Sequence, residues 1–189
     1  MRELVYYVAT SIDGYIAAPD GTYDAFPIVG DHMDAQIDEF ADALPAHAAA
    51  VLGAKPLGDR FDTIIQGWNS YRHALDAGIE RPYAHLREYV ATTRQDAAPD
   101  GVTYTADALA TVRELKQEDG AGIYLCGGGR LAGSLLPEID RMILKRSPIV
   151  FGAGIPLFVG APYAAGSFRL ESARTFESGV EIVEYVRAE

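Results

Sequence analysis

Cysteine is almost missing from this chain: Cys126 is the only one in 189 residues. A lone thiol excludes an internal disulfide and any multi-cysteine metal centre. Basic residues are scarce too, 16 Lys and Arg against 27 Asp and Glu, for a net charge of −11. That balance argues against a general nucleic-acid surface and against attachment to anionic lipid. An anionic ligand would need donors arranged locally. No apolar run approaches the ~18 residues of a membrane span. Glu3 and Asp13 interrupt the region where a secretion signal would be apolar. A cytoplasmic protein is expected, with no membrane or nucleic-acid partner. The four histidines, His32, His47, His73 and His85, show no metal-ligand spacing and read as surface or capping residues. No metal is expected, and nucleophile-elbow, P-loop and zinc motifs are all missing.

What is present is a globular composition, 49% hydrophobic with 11 Tyr and 7 Phe. "ELVYYVAT" (3–10) reads as a buried strand, and 11–30 as a loop carrying Asp-Gly and Pro-Asp-Gly turns. Residues 31–44 read as a helix with Met33, Ile37, Phe40 and Leu44 on one stripe. Asp34 and Gln36 border that stripe, and Asp38 and Asp42 point away from it. Residues 45–60 are irregular, with room for a short helix. Strands follow at 61–67, 86–93, 101–105, 122–126 and 141–151, and helices at 68–75, 106–118 and 130–137. The end, "FRLESARTF" and "VEIVEYVR" around Ser178-Gly179, reads as an antiparallel hairpin. Strands alternating with helices give one α/β domain over 1–189, its sheet mostly parallel with an antiparallel C-terminal edge.

"IYLCGGGRLAGSLLP" (123–137) ends a strand in Gly127-Gly128-Gly129 and opens a helix. The first N–H groups of a helix are unsatisfied donors in a field that favours anions. Glycines there let a phosphate approach without meeting a Cβ. A tight turn with no ligand is the plainer alternative. Gly127, Gly129 and Ala132 also match a Rossmann fingerprint. The further βαβ units and the acidic residue that fold requires do not follow.

Four stretches in order, "ATSIDGYIAAPDG" (9–21), "FDTIIQGWNSY" (61–71), "IYLCGGGRL" (123–131) and "PIVFGAGIPLF" (148–158), carry a resemblance to the dihydrofolate reductase-like superfamily. The chain most resembles the C-terminal reductase domain of the bacterial riboflavin-biosynthesis deaminase/reductase and its stand-alone relatives. The resemblance spans nearly the whole chain. It implies a dihydrofolate-reductase-like three-layer sandwich, NADPH as hydride donor, and a pyrophosphate on the turns Gly67–Tyr71 and Gly127–Leu131. The implied reaction is reduction of a small heterocycle, as by a 5-amino-6-(5-phosphoribosylamino)uracil reductase. A pterin reductase and a non-catalytic nucleotide-binding relative remain as alternatives.

The resemblance also assigns residues. Ala9, Thr10 and Ile16 would line the nicotinamide pocket, while Asp13 reads as structural. Gly67, Trp68, Asn69 and Ser70, with Cys126, Gly127, Gly128, Gly129, Arg130 and Leu131, would hold the pyrophosphate. Asn69 and Ser70 could equally cap their helix. Trp68 stands where the family has arginine, which leaves NADH open beside NADPH. Thr92, Thr93 and Arg94 would sit by the adenosine ribose, with Arg94 suited to a 2′-phosphate or simply solvated. Cys126 reads as buried and inert. The resemblance calls for a carboxylate on the helix after the first loop as proton donor, and Asp34, at the border of the apolar stripe, is the candidate, unless it is a plain solvated helix charge. Spacing to Phe40 puts Gln36 at the position of the dihydrofolate reductase carboxylate. "FGAGIPLF" is either a substrate loop or an ordinary turn. A homodimer is expected through the late strands, where Phe168, Leu170, Phe176, Ile182 and Val186 supply apolar surface.

Overall fold

The computed structural model describes residues 1–188. The strands, in chain order, are β1 (Leu4–Thr10), β2 (Tyr15–Ala17), β3 (Phe61–Gly67), β4 (Arg87–Ala91), β5 (Val102–Thr105), β6 (Gly122–Cys126), β7 (Arg141–Arg146), β8 (Ile155–Pro156), β9 (Phe168–Thr175) and β10 (Glu181–Arg187). The helices are α1 (His32–Glu39), α2 (Ala46–Leu52), α3 (Trp68–Asp76), α4 (Ala108–Leu115) and α5 (Gly129–Leu135). Eight strands form one sheet in the order β5-β4-β3-β6-β1-β7-β10-β9. β5 through β7 run parallel, and β10 and β9 close the edge antiparallel. β2 and β8 make a separate two-stranded ribbon.

Strand alternation explains the layers. Successive side chains leave a strand on opposite faces. In β1, Val5 and Tyr7 join the cluster under α1, with Ala35, Phe40, Phe61, Ile64, Tyr124 and Ile143. Leu4 and Tyr6 join the other face, with Val112 and Leu115 of α4 and Ala132 and Leu135 of α5. A sheet covered on both sides is why β1 and β6 read as unbroken apolar runs. The expected three-layer sandwich is therefore the fold.

Four local expectations are corrected. The helix expected over 31–44 stops at Glu39, and a 3₁₀ turn covers Ala41–Ala43. Its buried residues are His32 and Ala35, not a Met33–Ile37 stripe. His32 is fully buried, bonded to Ser178 Oγ at 3.0 Å and to the Pro27 carbonyl at 3.2 Å, so it ties the first loop to the C-terminal hairpin. Asp42, expected at the surface, is buried: its carboxylate accepts the N–H groups of Leu57, Gly58, Arg60 and Phe61. Three of those donors belong to the loop before β3 and the fourth is the first residue of β3, where no ladder partner satisfies them. Within the expected loop 11–30, β2 pairs with β8, some 140 residues away in sequence.

Candidate functional site

Because β1, β3, β4, β6 and β7 are parallel, Thr10, Gly67, Ala91, Cys126 and Arg146 end on one edge of the sheet. That edge is where open α/β sheets bind ligands.

The three glycines at the end of β6 differ in what surrounds them. A Cβ on Gly129 would collide with the Pro156 carbonyl, and one on Gly133 with the Val159 carbonyl. Val159 N–H in turn donates to the Gly129 carbonyl at 2.8 Å. These glycines let the 155–159 segment lie across α5. The same segment is fastened at Leu157, whose N–H donates to Gly14 O and whose carbonyl accepts from Tyr6 Oη, both at 3.1 Å. Gly127 is tight against Leu131: a Cβ added there would stand 3.1 Å from Leu131 Cδ2. Gly128 is different. Its φ of −69° suits any residue, and a Cβ there would meet nothing within 4 Å. Nothing in the protein itself requires a glycine at that position.

The turn from β3 into α3 lies beside this one, with Leu131 under Gly67. Neither α3 nor α5 has a side-chain cap, so Asn69 and Ser70 do not cap α3. Trp68 packs edge-on to Tyr71 and Tyr104. Arg94 stacks over its indole, 4.5 Å from guanidinium carbon to ring centre, an attractive placement for a cation. Thr92 Oγ1 accepts the Arg94 N–H at 3.2 Å. The Arg94 Nε and Nη2 both reach Asp96 Oδ2, at 2.7 and 2.6 Å. Thr93 and Arg130 are exposed.

On the β1 side, Thr10 is buried and donates to the Ser11 carbonyl, while Ala9 and Ile16 are half-buried. Asp13 is structural, as read from its Asp-Gly turn. It accepts from Ser11 Oγ, Phe151 N and Gly152 N, which fastens the first loop to the 151–154 turn. The Ser11 bond leads in holding its carboxyl below the usual range. Burial pushes the Cys126 thiol up, and the sulfur lies 3.5 Å from Tyr83 Oη.

The structure brings together the 67–71 and 127–131 turns, and it sets Trp68 against Arg94. Asp34 joins neither group. The wheel that placed it beside the core used a stripe that is not the buried one, and Asp34 is exposed. The α1 residue bonded to the carboxyl end of β7 is Gln36, whose Oε1 accepts from Lys145 Nζ at 2.8 Å. Lys145 was missed. The available signal was a lysine in "RMILKRSP", two residues after Ile143 and so on the same inward face of its strand.

A family model for the RibD C-terminal domain matches residues 2–182. The chain is 32% identical over 191 residues to the protein YwjB of Bacillus subtilis (strain 168), covering 99% of both. YyaP of the same organism is 26% identical over 198 residues, with 97% of this chain and 94% of that one covered. Among solved structures, a putative riboflavin biosynthesis protein from Shewanella sp. PV-4 superposes with a TM-score of 0.71 at 22% identity, covering 99% of each chain. The deaminase/5-amino-6-(5-phosphoribosylamino)uracil reductase of Thermotoga maritima gives 0.67 at 15%, covering 99% of this chain and 57% of that longer one. Dihydrofolate reductase from Enterococcus faecalis, complexed with NADP(H), gives 0.65 at 13%, covering 99% and 97%. At these identities the likeness is one of fold, and it is the dihydrofolate-reductase-like sandwich described above. With the family match running almost from end to end and a relative at 32% identity along the full length, the chain belongs to the RibD C-terminal domain family.

Proposed function

We propose that this protein is a reductase of a small heterocyclic substrate that uses NADPH, with chemistry of the 5-amino-6-(5-phosphoribosylamino)uracil reductase kind. Gly128 carries the proposal. It is a glycine with an ordinary backbone and empty space beyond it, between two uncapped helix starts. A phosphate seated there meets backbone N–H groups and no side chain. The family match and the NADP(H)-bound neighbour support the same choice of cofactor.

In this reading Gly67, Asn69, Ser70 and Gly127–Leu131 hold the pyrophosphate. Trp68, Thr92, Thr93 and Arg94 receive the adenosine end, where the stacked Arg94 supplies the positive charge that Trp68 itself lacks. Ala9, Thr10 and Ile16 face the nicotinamide, which when bound supplies a hydride. The 155–159 segment, fastened to both the first loop and α5, closes the far side.

The test is NADPH oxidation with 5-amino-6-(5-phosphoribosylamino)uracil and with 7,8-dihydrofolate, together with NADPH titration of Gly128→Val. Turnover of the first compound and a folded variant without NADPH binding are expected. Unchanged affinity in folded Gly128→Val ends the assignment of this turn. Binding without turnover on either compound favours a non-catalytic nucleotide-binding role.

A further inference from the structure

We propose that Lys145 is a catalytic acid of this site: held by Gln36 at the carboxyl ends of β1 and β7, its ammonium gives the proton that completes reduction of a C=N or C=O group. The proposal rests on the reductase reading above. It goes beyond that reading in naming a proton source.

Placement comes first. Lys145 is the penultimate residue of β7 and pairs with Ala9, the penultimate residue of β1, one of the positions that face the nicotinamide in that reading. On its other side it pairs with Ile182 of β10. Ile143, two residues earlier, is fully buried in the cluster beneath α1, so strand alternation sends Lys145 to the same side. The ammonium arrives between sheet and helix at the edge where the cofactor turns end. It is half-buried, not sealed in.

Its bonding is incomplete in a specific way. An ammonium has three donors, and its one side-chain partner is the Gln36 amide oxygen. Among the described residues no carboxylate lies within ion-pair distance of it. Lys116, by contrast, is paired with Glu138 and Asp140. The charges on neighbouring elements are committed elsewhere: Glu181 to Arg146, Glu184 to Arg60 and Arg141, and Glu39 to Arg174. Asp34 and Asp38 are exposed on α1, and Tyr7 of β1 offers only a buried hydroxyl without a partner. A neutral acceptor fixes the amine in place and favours its charged form less than a carboxylate would. Burial alone then pushes Lys145 down to about 8. An acid works best with a pKa near the working pH. A half-buried, unpaired cation in a strand costs stability that Met or Leu would not, and such expense is characteristic of functional sites.

In the balanced step, the substrate carbon accepts hydride, which brings two electrons and one hydrogen. The π bond to nitrogen or oxygen breaks, and its electron pair takes the Lys145 proton. A C–H bond and an N–H or O–H bond form, the dihydronicotinamide is oxidised, and the neutral amine regains a proton from water.

Two measurements test this. The chain has three lysines, Lys55, Lys116 and Lys145, so protein labelled with 13C-lysine gives a simple NMR titration. One Cε signal, missing in Lys145→Met, should titrate near 8. Titration of that signal at the ordinary lysine value overturns the proposal. For the second measurement, NADPH oxidation is followed with the same two compounds. Lys145→Met should bind NADPH as the wild type does and lose about 10²–10⁴-fold in kcat. The alkaline limb of kcat/KM near pH 8 should vanish with it. Lys145→Arg keeps the charge and the bond to Gln36 but releases no proton near neutrality, so it should not restore the rate. A wild-type rate in Lys145→Arg overturns the acid role while leaving the reductase in place. So does a loss confined to Asp34→Asn. If the wild type reduces neither compound, the reductase reading fails and the acid role falls with it.

Discussion

At pH 7 Lys145 is protonated both in the folded protein and in the unfolded chain, but only the folded state must hold that charge away from water. Its folded value of about 8 lies below the ordinary 10.5. Between those two values the unfolded chain binds more protons, so stability rises with pH through that window. Below it the cost is present in full. Lys145→Met should therefore stabilise the protein at pH 7, on the order of 1–3 kcal/mol and a rise of several degrees in Tm, with a smaller gain at pH 10. A fall in Tm at pH 7 would mean that the lysine sits in a favourable pair. Arg94 makes a second case at this scale. Asp96 holds two of its nitrogens, in competition with a 2′-phosphate. Arg94→Ala should weaken NADPH about tenfold to a hundredfold and NADH much less. Asp96→Asn should tighten NADPH and leave NADH unchanged. Equal effects on the two cofactors in a binding titration would remove Arg94 from the 2′ site.

Elements show what a one-dimensional reading can reach. β1, β3 and β6 were legible because their apolar runs are buried on both faces. The glycine turn was legible because strand, glycines and helix are contiguous. What escaped is set by partners distant in sequence. β2 exists because β8 pairs with it, α1 turns His32 inward because Ser178 waits there, and Asp42 is buried because a loop 15–19 residues later needs an acceptor. Lys145 escaped for a related reason: its partner Gln36 lies 109 residues back. Asp42→Ala leaves four backbone N–H groups without their acceptor and should cost about 2–4 kcal/mol, measured by denaturant unfolding. A loss below about 0.5 kcal/mol, the surface range, would show that water replaces the carboxylate. The candidate site residues rest on resemblance more than on pattern. Only the Gly127–Gly129 run suggested a ligand by residue type alone, and packing accounts for Gly127 and Gly129, which leaves Gly128.

For the molecule as a whole, the sheet has two ends of different kinds. At one, β9 has five consecutive exposed residues, Arg169 to Ala173, and Leu170 is 53% exposed. Among the described residues no helix covers Arg169–Ala173, and the expected homodimer would use this strand together with β10. Light scattering at micromolar concentration should give twice the chain mass, and Leu170→Glu should halve it. A monomeric wild type rejects that assembly. At the middle of the sheet, the 155–159 segment braces the glycine turn, which makes first loop, glycine turn and α5 one body. Trp68, the chain's single tryptophan, opens α3 at the neighbouring turn, stacked beneath Arg94. The protein thus has a fluorophore of its own where the adenosine end of the cofactor is proposed to lie. Every photon of indole emission comes from that one place. Quenching, or transfer of excitation to a reduced nicotinamide, would report occupancy of the turn directly, with no label attached and before any substrate has been identified.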